Sequence, residues 1–133
     1  KNYIDDILKQ ARTDGHVKSL MGRRRPLPDI NSPRQPARAA AERTAINHPI
    51  QGTSADIMKL AMLAVDRELS TRKLKARVTM QVHDELVFEV PLNEVDEVTE
   101  IAMKLMCEVP AKELNLRVPL EVEVGVADNW NDA

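Results

Sequence analysis

Aromatic residues are nearly absent from this 133-residue chain, which has only Tyr3, Phe88 and Trp130. A core here must be filled by aliphatic side chains and methionine, and it lacks the large interior area that rings supply. Cysteine is scarcer still. Cys107 stands alone, which excludes an intramolecular disulfide and a cysteine-based metal cluster. Its solitude suits a reducing cytosol. No apolar run approaches the length of a membrane span, and no charged-then-apolar leader opens the chain, so no membrane partner is expected. Internal repeats and low-complexity tracts are missing too. The length suits one compact core or less, burying about two-thirds of the unfolded surface.

Charge is plentiful but unevenly spread. The net value of −2 conceals a gradient. Residues 1–45 hold ten Lys/Arg against five Asp/Glu, and residues 46–83 hold six against three. Residues 84–133 reverse the sign, with three against thirteen. A basic first half can neutralise phosphates and release their counterions. An acidic second half repels nucleic acid except where a divalent ion intervenes.

Periodicity outlines an α+β chain. Ile4, Ile7, Leu8 and Ala11 recur at helical spacing, with Gly15 as a stop. Residues 15–37 collect Pro26, Pro28, Pro33 and Pro36, which predicts an extended excursion or an unresolved strand pair. Strong helix formers predict a helix over 37–47 that Pro49 interrupts. A second helix is expected over 53–69, capped by Thr53 or Ser54, with Ile57, Leu60, Ala61, Ala64 and Val65 as its apolar stripe. Two short β-branched runs around His83-Asp84-Glu85 predict a tight antiparallel hairpin. Asn93 is the expected cap of a later helix with Val95, Val98, Ala102, Leu105 and Met106 on one face. Residues 120–126 alternate cleanly, predicting a final strand with Leu120, Val122, Val124 and Val126 toward the core.

The hairpin turn invites two readings. Asp84 and Glu85 are either polar residues that suit a tight turn or carboxylates fixed by the flanking strands for a hard cation. Mg²⁺ is commonly held by one or two carboxylates, waters and substrate phosphates. Arg43, Asn47 and Gln51, spaced by four, form a second constellation on one helical face, with the second interval distorted by Pro49. Their donors match the minor-groove acceptors, which vary little with sequence; alternatively they make local helix-end bonds. Arg23, Arg24 and Arg25 suit backbone phosphate or a solvated turn.

The wording of these segments carries a resemblance. Gln81-Val82-His83-Asp84-Glu85-Leu86 resembles the third motif of family A DNA polymerases of the bacterial DNA polymerase I type. Arg43 through Asn47, Pro49, Gln51-Gly52-Thr53, Ala55 and Asp56 is similar to the preceding segment of that family. Gly22-Arg23-Arg24-Arg25 with Leu27-Pro28-Asp29 resembles the stretch before it, and Val118-Pro119-Leu120 to Asn129-Trp130 the family's C-terminus. The resemblance implies an antiparallel palm-type sheet, formed by the His83-Asp84 hairpin and a C-terminal strand, packed on helices. It implies a fingers-to-palm basic segment over 1–45 and a palm part over 46–133.

By the same resemblance Asp84 ligates Mg²⁺, one of two ions in the complete site, and Glu85 supports indirectly. His83 lies against the primer terminus, and Arg43, Asn47 and Gln51 face the minor groove. The implied activity is DNA-directed addition of deoxynucleotides to a primer, in replication and repair, with primer–template DNA and dNTP as partners. A second metal-binding Asp and a triphosphate-binding fingers helix are missing, so the remainder of a polymerase chain is expected to be needed. A non-catalytic nucleic-acid-binding module, or a related translesion or RNA polymerase, are the alternatives.

Overall fold

The computed structural model describes residues 2–133. Its elements run α1 (Asn2–Asp14), β1 (His16–Lys18), β2 (Arg24–Pro26), α2 (Gln35–Thr71), β3 (Arg77–Val82), β4 (Glu85–Glu89) and α3 (Val95–Glu113). Short 3₁₀ turns cover Leu92–Glu94 and Trp130–Asp132. The chain divides into two compact units, one ending at Asp56 and the other spanning Ile57–Ala133. The boundary between the units falls inside α2.

In the first unit, α1 follows its apolar spacing and ends as expected. Gly15 takes φ 71° and its N–H donates to Ala11 O at 2.8 Å. That left-handed residue is easy for glycine and releases the chain into β1. The proline-rich excursion resolves into an antiparallel pair, with Val17 opposite Arg25 and Lys18 opposite Arg24. Val17, Leu27, Ile30, Ala11, Ala41 and Ala45 form the core.

Helix α2 corrects the expected interruption. It runs unbroken through Pro49, although an interior proline forfeits a hydrogen bond and costs about 3 kcal/mol. Packing on both sides of the proline overrides that cost. Ala41 and Ala45 are buried in the first core, Val65 and Leu69 in the second. Thr53 and Ser54 therefore cap nothing, because no helix begins there.

In the second unit α2 stops in a Schellman arrangement. Leu74 N–H donates to Leu69 O at 3.0 Å and Lys73 N–H to Ser70 O at 3.1 Å, with Lys73 at φ 55°. Strand β3 then pairs with β4, Val82 opposite Glu85, with a bulge between Val78 and Met80. Val65, Leu69, Ala76, Val98 and Ile101 make the core, with Phe88, Leu105 and Met106 against it. Each fully buried aliphatic side chain stabilises by about 1.5–3 kcal/mol.

Two further expectations are corrected here. Asn93 lies within the 3₁₀ turn, and Glu94 occupies the cap position of α3 without a side-chain cap bond. The glutamate is engaged elsewhere. The strand predicted over 120–126 also does not form, and the only sheets among the described residues are β1–β2 and β3–β4. Alternation supplies a face, but a strand needs a neighbouring edge for its backbone groups. Neither sheet extends to this segment, and Val124 and Val126 are exposed. Trp130, in the last turn, is exposed as well, at 53%.

Candidate nucleic-acid interface and carboxylate turn

Because α2 is continuous, the four-residue spacing of Arg43, Asn47 and Gln51 is preserved through both intervals. All three are exposed and line one open pocket of about 530 Å³, together with Arg25, Ala40, Thr44 and His48. No carboxylate lines it. Strand β2 contributes Arg25, so the structure brings members of two of the predicted groups to one place. His48 was not singled out from sequence. Its Nε2 is buried without a hydrogen-bond partner, and a lone histidine on a polar helix face gave no signal of that.

The three arginines of the Gly22–Arg25 segment separate into two kinds. Arg24 and Arg25 are exposed on β2, and neither takes part in an ion pair among the described residues. Lys18 stands directly across from Arg24, and like charges so placed repel unless an anion lies over them. Arg23 differs. Its Nε and Nη2 donate to Asp56 Oδ1 at 3.3 and 3.1 Å. Asp56 is buried, 1% exposed, and Oδ2 has no partner within hydrogen-bond geometry. Burial opposes its ionisation, but the Ser19 hydroxyl, the Arg23 guanidinium and the Met21 N–H outweigh this and hold the carboxyl below its usual range.

In the second unit the predicted hairpin is present, and its turn is His83-Asp84. His83 holds φ 51°, a left-handed conformation uncommon for a residue with a Cβ. Gln81 Nε2 donates to His83 O at 3.3 Å and braces the turn. Asp84 and Glu85 are both exposed, and neither forms an ion pair among the described residues. No group of three or more His, Cys, Asp or Glu side chains suited to a metal occurs among those residues. The donor set therefore fits a hard cation only as a partial sphere, one or two carboxylate oxygens to be completed by other ligands.

Sequence reasoning missed Glu94. It is buried, and its carboxylate accepts from Lys75 N–H at 3.0 Å and from Ala76 N–H at 2.9 Å. These bonds fix the backbone that leads into β3, and through it the placement of the turn. A glutamate just ahead of a helix looks like a first-turn acid, which hid its role. Arg72 anchors the same region by pairing with Glu68 at 2.7 Å and Glu97 at 3.0 Å. Among the described residues no helix is long and apolar enough to cross a membrane.

Comparison with known proteins agrees across nearly the whole chain. The DNA polymerase I of Mycobacterium leprae is 44% identical over 133 residues, which is the full chain but 14% of that protein. The DNA polymerase I of Pseudomonas aeruginosa is 50% identical over 131 residues, covering 98% of the chain and 14% of that protein. The solved POL domain of Pol1 from M. smegmatis, in complex with DNA primer-template and dNTP, matches with a TM-score of 0.91 at 43% identity. It aligns with 99% of this chain, which covers 23% of that one. The chain thus spans about one seventh of the length of the curated relatives it matches. The family match itself, DNA polymerase family A, spans residues 1–132. With sequence motifs, fold and relatives in agreement, the chain belongs to DNA polymerase family A.

Proposed function

We propose that this chain supplies part of the primer–template grip and one half of the metal-binding carboxylate set of a template-directed DNA polymerase. The observation that carries this reading is the carboxylate-free pocket where Arg25, Arg43, Asn47 and Gln51 converge. Unpaired guanidinium groups beside two amides fit a phosphate-lined duplex, with the cations on phosphate and the amides on groove acceptors. Such contacts hold any base pair of correct shape, as replication and repair require. Arg24 and Arg25 are the phosphate contacts in this reading. Arg43, Asn47 and Gln51 face the minor groove near the primer terminus.

The carboxylate turn has a different task. Asp84 would hold Mg²⁺ near the primer 3′ end, with Glu85 acting indirectly through water. A divalent cation there supplies charge that favours ionisation of the attacking hydroxyl and offsets charge on the transferred phosphoryl group. Asp84 keeps its carboxylate at the tip of a two-strand lever, and His83 directs a ring donor toward a primer oxygen. The partner Asp and the triphosphate clamp come from the remainder of a polymerase, so primer extension requires that remainder. Primer–template DNA and dNTP are the proposed partners, and the bacterial cytosol or nucleoid the proposed location.

The test is primer extension and DNA binding by the full polymerase with Asp84→Asn. Turnover falls by about a thousandfold, equivalent to about 4 kcal/mol of transition-state stabilisation, while duplex affinity is retained. Near-normal extension by that variant would return Asp84 to the status of a turn residue.

A further inference from the structure

Gly52-Thr53 and Asp56 belong to one of the segments that resemble the family, yet none of them lines the pocket. All three meet the end of the β1–β2 hairpin. An added Cβ at Gly52 would lie 3.2 Å from Ser19 Cβ, so the absence of a side chain permits the approach. Thr53 Oγ1 accepts from Leu20 N–H at 3.1 Å. Asp56 Oδ1 takes both bonds from Arg23. The hairpin end is itself closed, with Gly22 N–H on Ser19 O at 2.9 Å and Ser19 N–H on Arg23 O at 3.0 Å. It therefore docks as one body, and β2 begins at the next residue.

We infer that Gly52, Thr53 and Asp56 form a seat on α2 that positions the hairpin, so that Arg25 meets the Arg43–Asn47–Gln51 face at a fixed offset. Arg23 is the latch of this seat and not a phosphate contact. Asp56 and Arg23 are positioning residues, and the inference rests on the proposed DNA-facing role of the pocket. The chemistry favours alignment over stability as the reason for the pair. Only the carboxylate is buried, the Arg23 side chain being about half exposed, so the attraction is partly screened by water while Asp56 still carries the cost of desolvation. What the pair adds is geometry: two donors from one planar guanidinium on one oxygen define direction as well as distance.

The experiment uses the full polymerase carrying this chain and a fluorescein-labelled primer–template duplex, titrated over a series of salt concentrations. Asp56→Asn is expected to weaken binding by about tenfold and to lower the slope of log affinity against log salt by about one, the signature of one lost phosphate contact. Arg25→Ala gives the same slope change, and the combined variant loses nothing further, because both act on one contact. The paired replacement Arg23→Met with Asp56→Leu restores affinity to within about threefold of the parent, since the seat needs a fixed hairpin and not a charge on Arg23.

If Asp56→Asn does not fold, Thr53→Ala decides, with a smaller loss of affinity and a partial fall in slope. An unchanged slope in Asp56→Asn, or in Thr53→Ala where it decides, overturns the seat if Arg25→Ala lowers it. A paired replacement that stays weak overturns it too, by showing that Arg23 itself meets phosphate. If Arg25→Ala changes neither affinity nor slope, the DNA-facing reading falls and the seat falls with it.

Discussion

The two hairpins of this chain share an antiparallel build and differ in where they carry charge and in how they are held. β1–β2 carries its charges along the strands, with Lys18, Arg24 and Arg25 exposed beside a helix face of amides. β3–β4 leaves most of β3 exposed and half-buries the middle of β4. Arg77 stands across from Glu89 at its open end, with Asp84 in the turn and Glu85 at the start of β4. The first is held from outside, its tip latched to α2 through Arg23 and Asp56. The second is held from its base, where Glu94 takes the N–H groups of Lys75 and Ala76. Strand charges spread over a surface suit a ligand with repeating phosphates and no preferred register. A carboxylate at a fixed tip suits chemistry at one point. Loss of one cation should then be graded, and loss of the tip carboxylate near-total.

That contrast can be broken most directly at the tip. Beyond the thousandfold effect expected of Asp84→Asn, His83→Gly separates conformation from contact. Glycine accepts φ 51° without penalty, so thermal stability should hold or rise. Extension should still slow by about tenfold, because the ring no longer reaches the primer. Unchanged extension in His83→Gly would reduce His83 to a turn residue.

The base of the same hairpin comes next in size. Glu94→Ala leaves two backbone N–H groups unpaired and should destabilise the second unit by about 1–3 kcal/mol. Chemical denaturation followed by circular dichroism measures this. A loss within error would mean that water satisfies those groups.

The latch predicts a pH dependence of definite sign. Asp56 titrates below its usual 3.8 in the folded chain. Its stabilising contribution is therefore complete above the unfolded value, near pH 4, and fades as pH falls through the lower folded value. The stability gap between the parent and Asp56→Asn should be constant from pH 7 to about 5 and close under stronger acid. A gap that widens on acidification would contradict this.

The smallest effect belongs to the amides. Gln51→Ala should slow extension and alter discrimination against mismatched termini, leaving the salt slope unchanged because an amide neutralises no phosphate. Arg24→Ala should lower that slope by about one, evenly across sequences. A slope change in Gln51→Ala would move it from groove to backbone.

Local signals were legible where one residue type has one use. Gly15 ended α1, and the β-branched runs marked β3 and β4. The Arg43–Asn47–Gln51 spacing pointed to a shared face, and α2 preserves it. The errors came from long-range terms. Pro49 has a local cost visible in any sequence, but the packing of Ala45 on one side and Val65 on the other outweighs it and is visible only in three dimensions. Asn93 and Glu94 both offer helix-start chemistry, and the competing demand of two N–H groups some 18 residues upstream decided how Glu94 is used. The alternation over 120–126 was real, but a strand is a property of two segments and only one was in view. Arg23, Arg24 and Arg25 were indistinguishable as neighbours, and a carboxylate 33 residues away set the first apart.

The placement of Trp130 has a practical consequence for following unfolding by intrinsic fluorescence. Half-exposed in the last turn and outside both cores, it is a weak reporter of core unfolding. Tyr3, 45% exposed, is a poor substitute. Both cores are optically silent for that reason, and a single tryptophan introduced into one of them would report the melting of that unit against a dark background from the other.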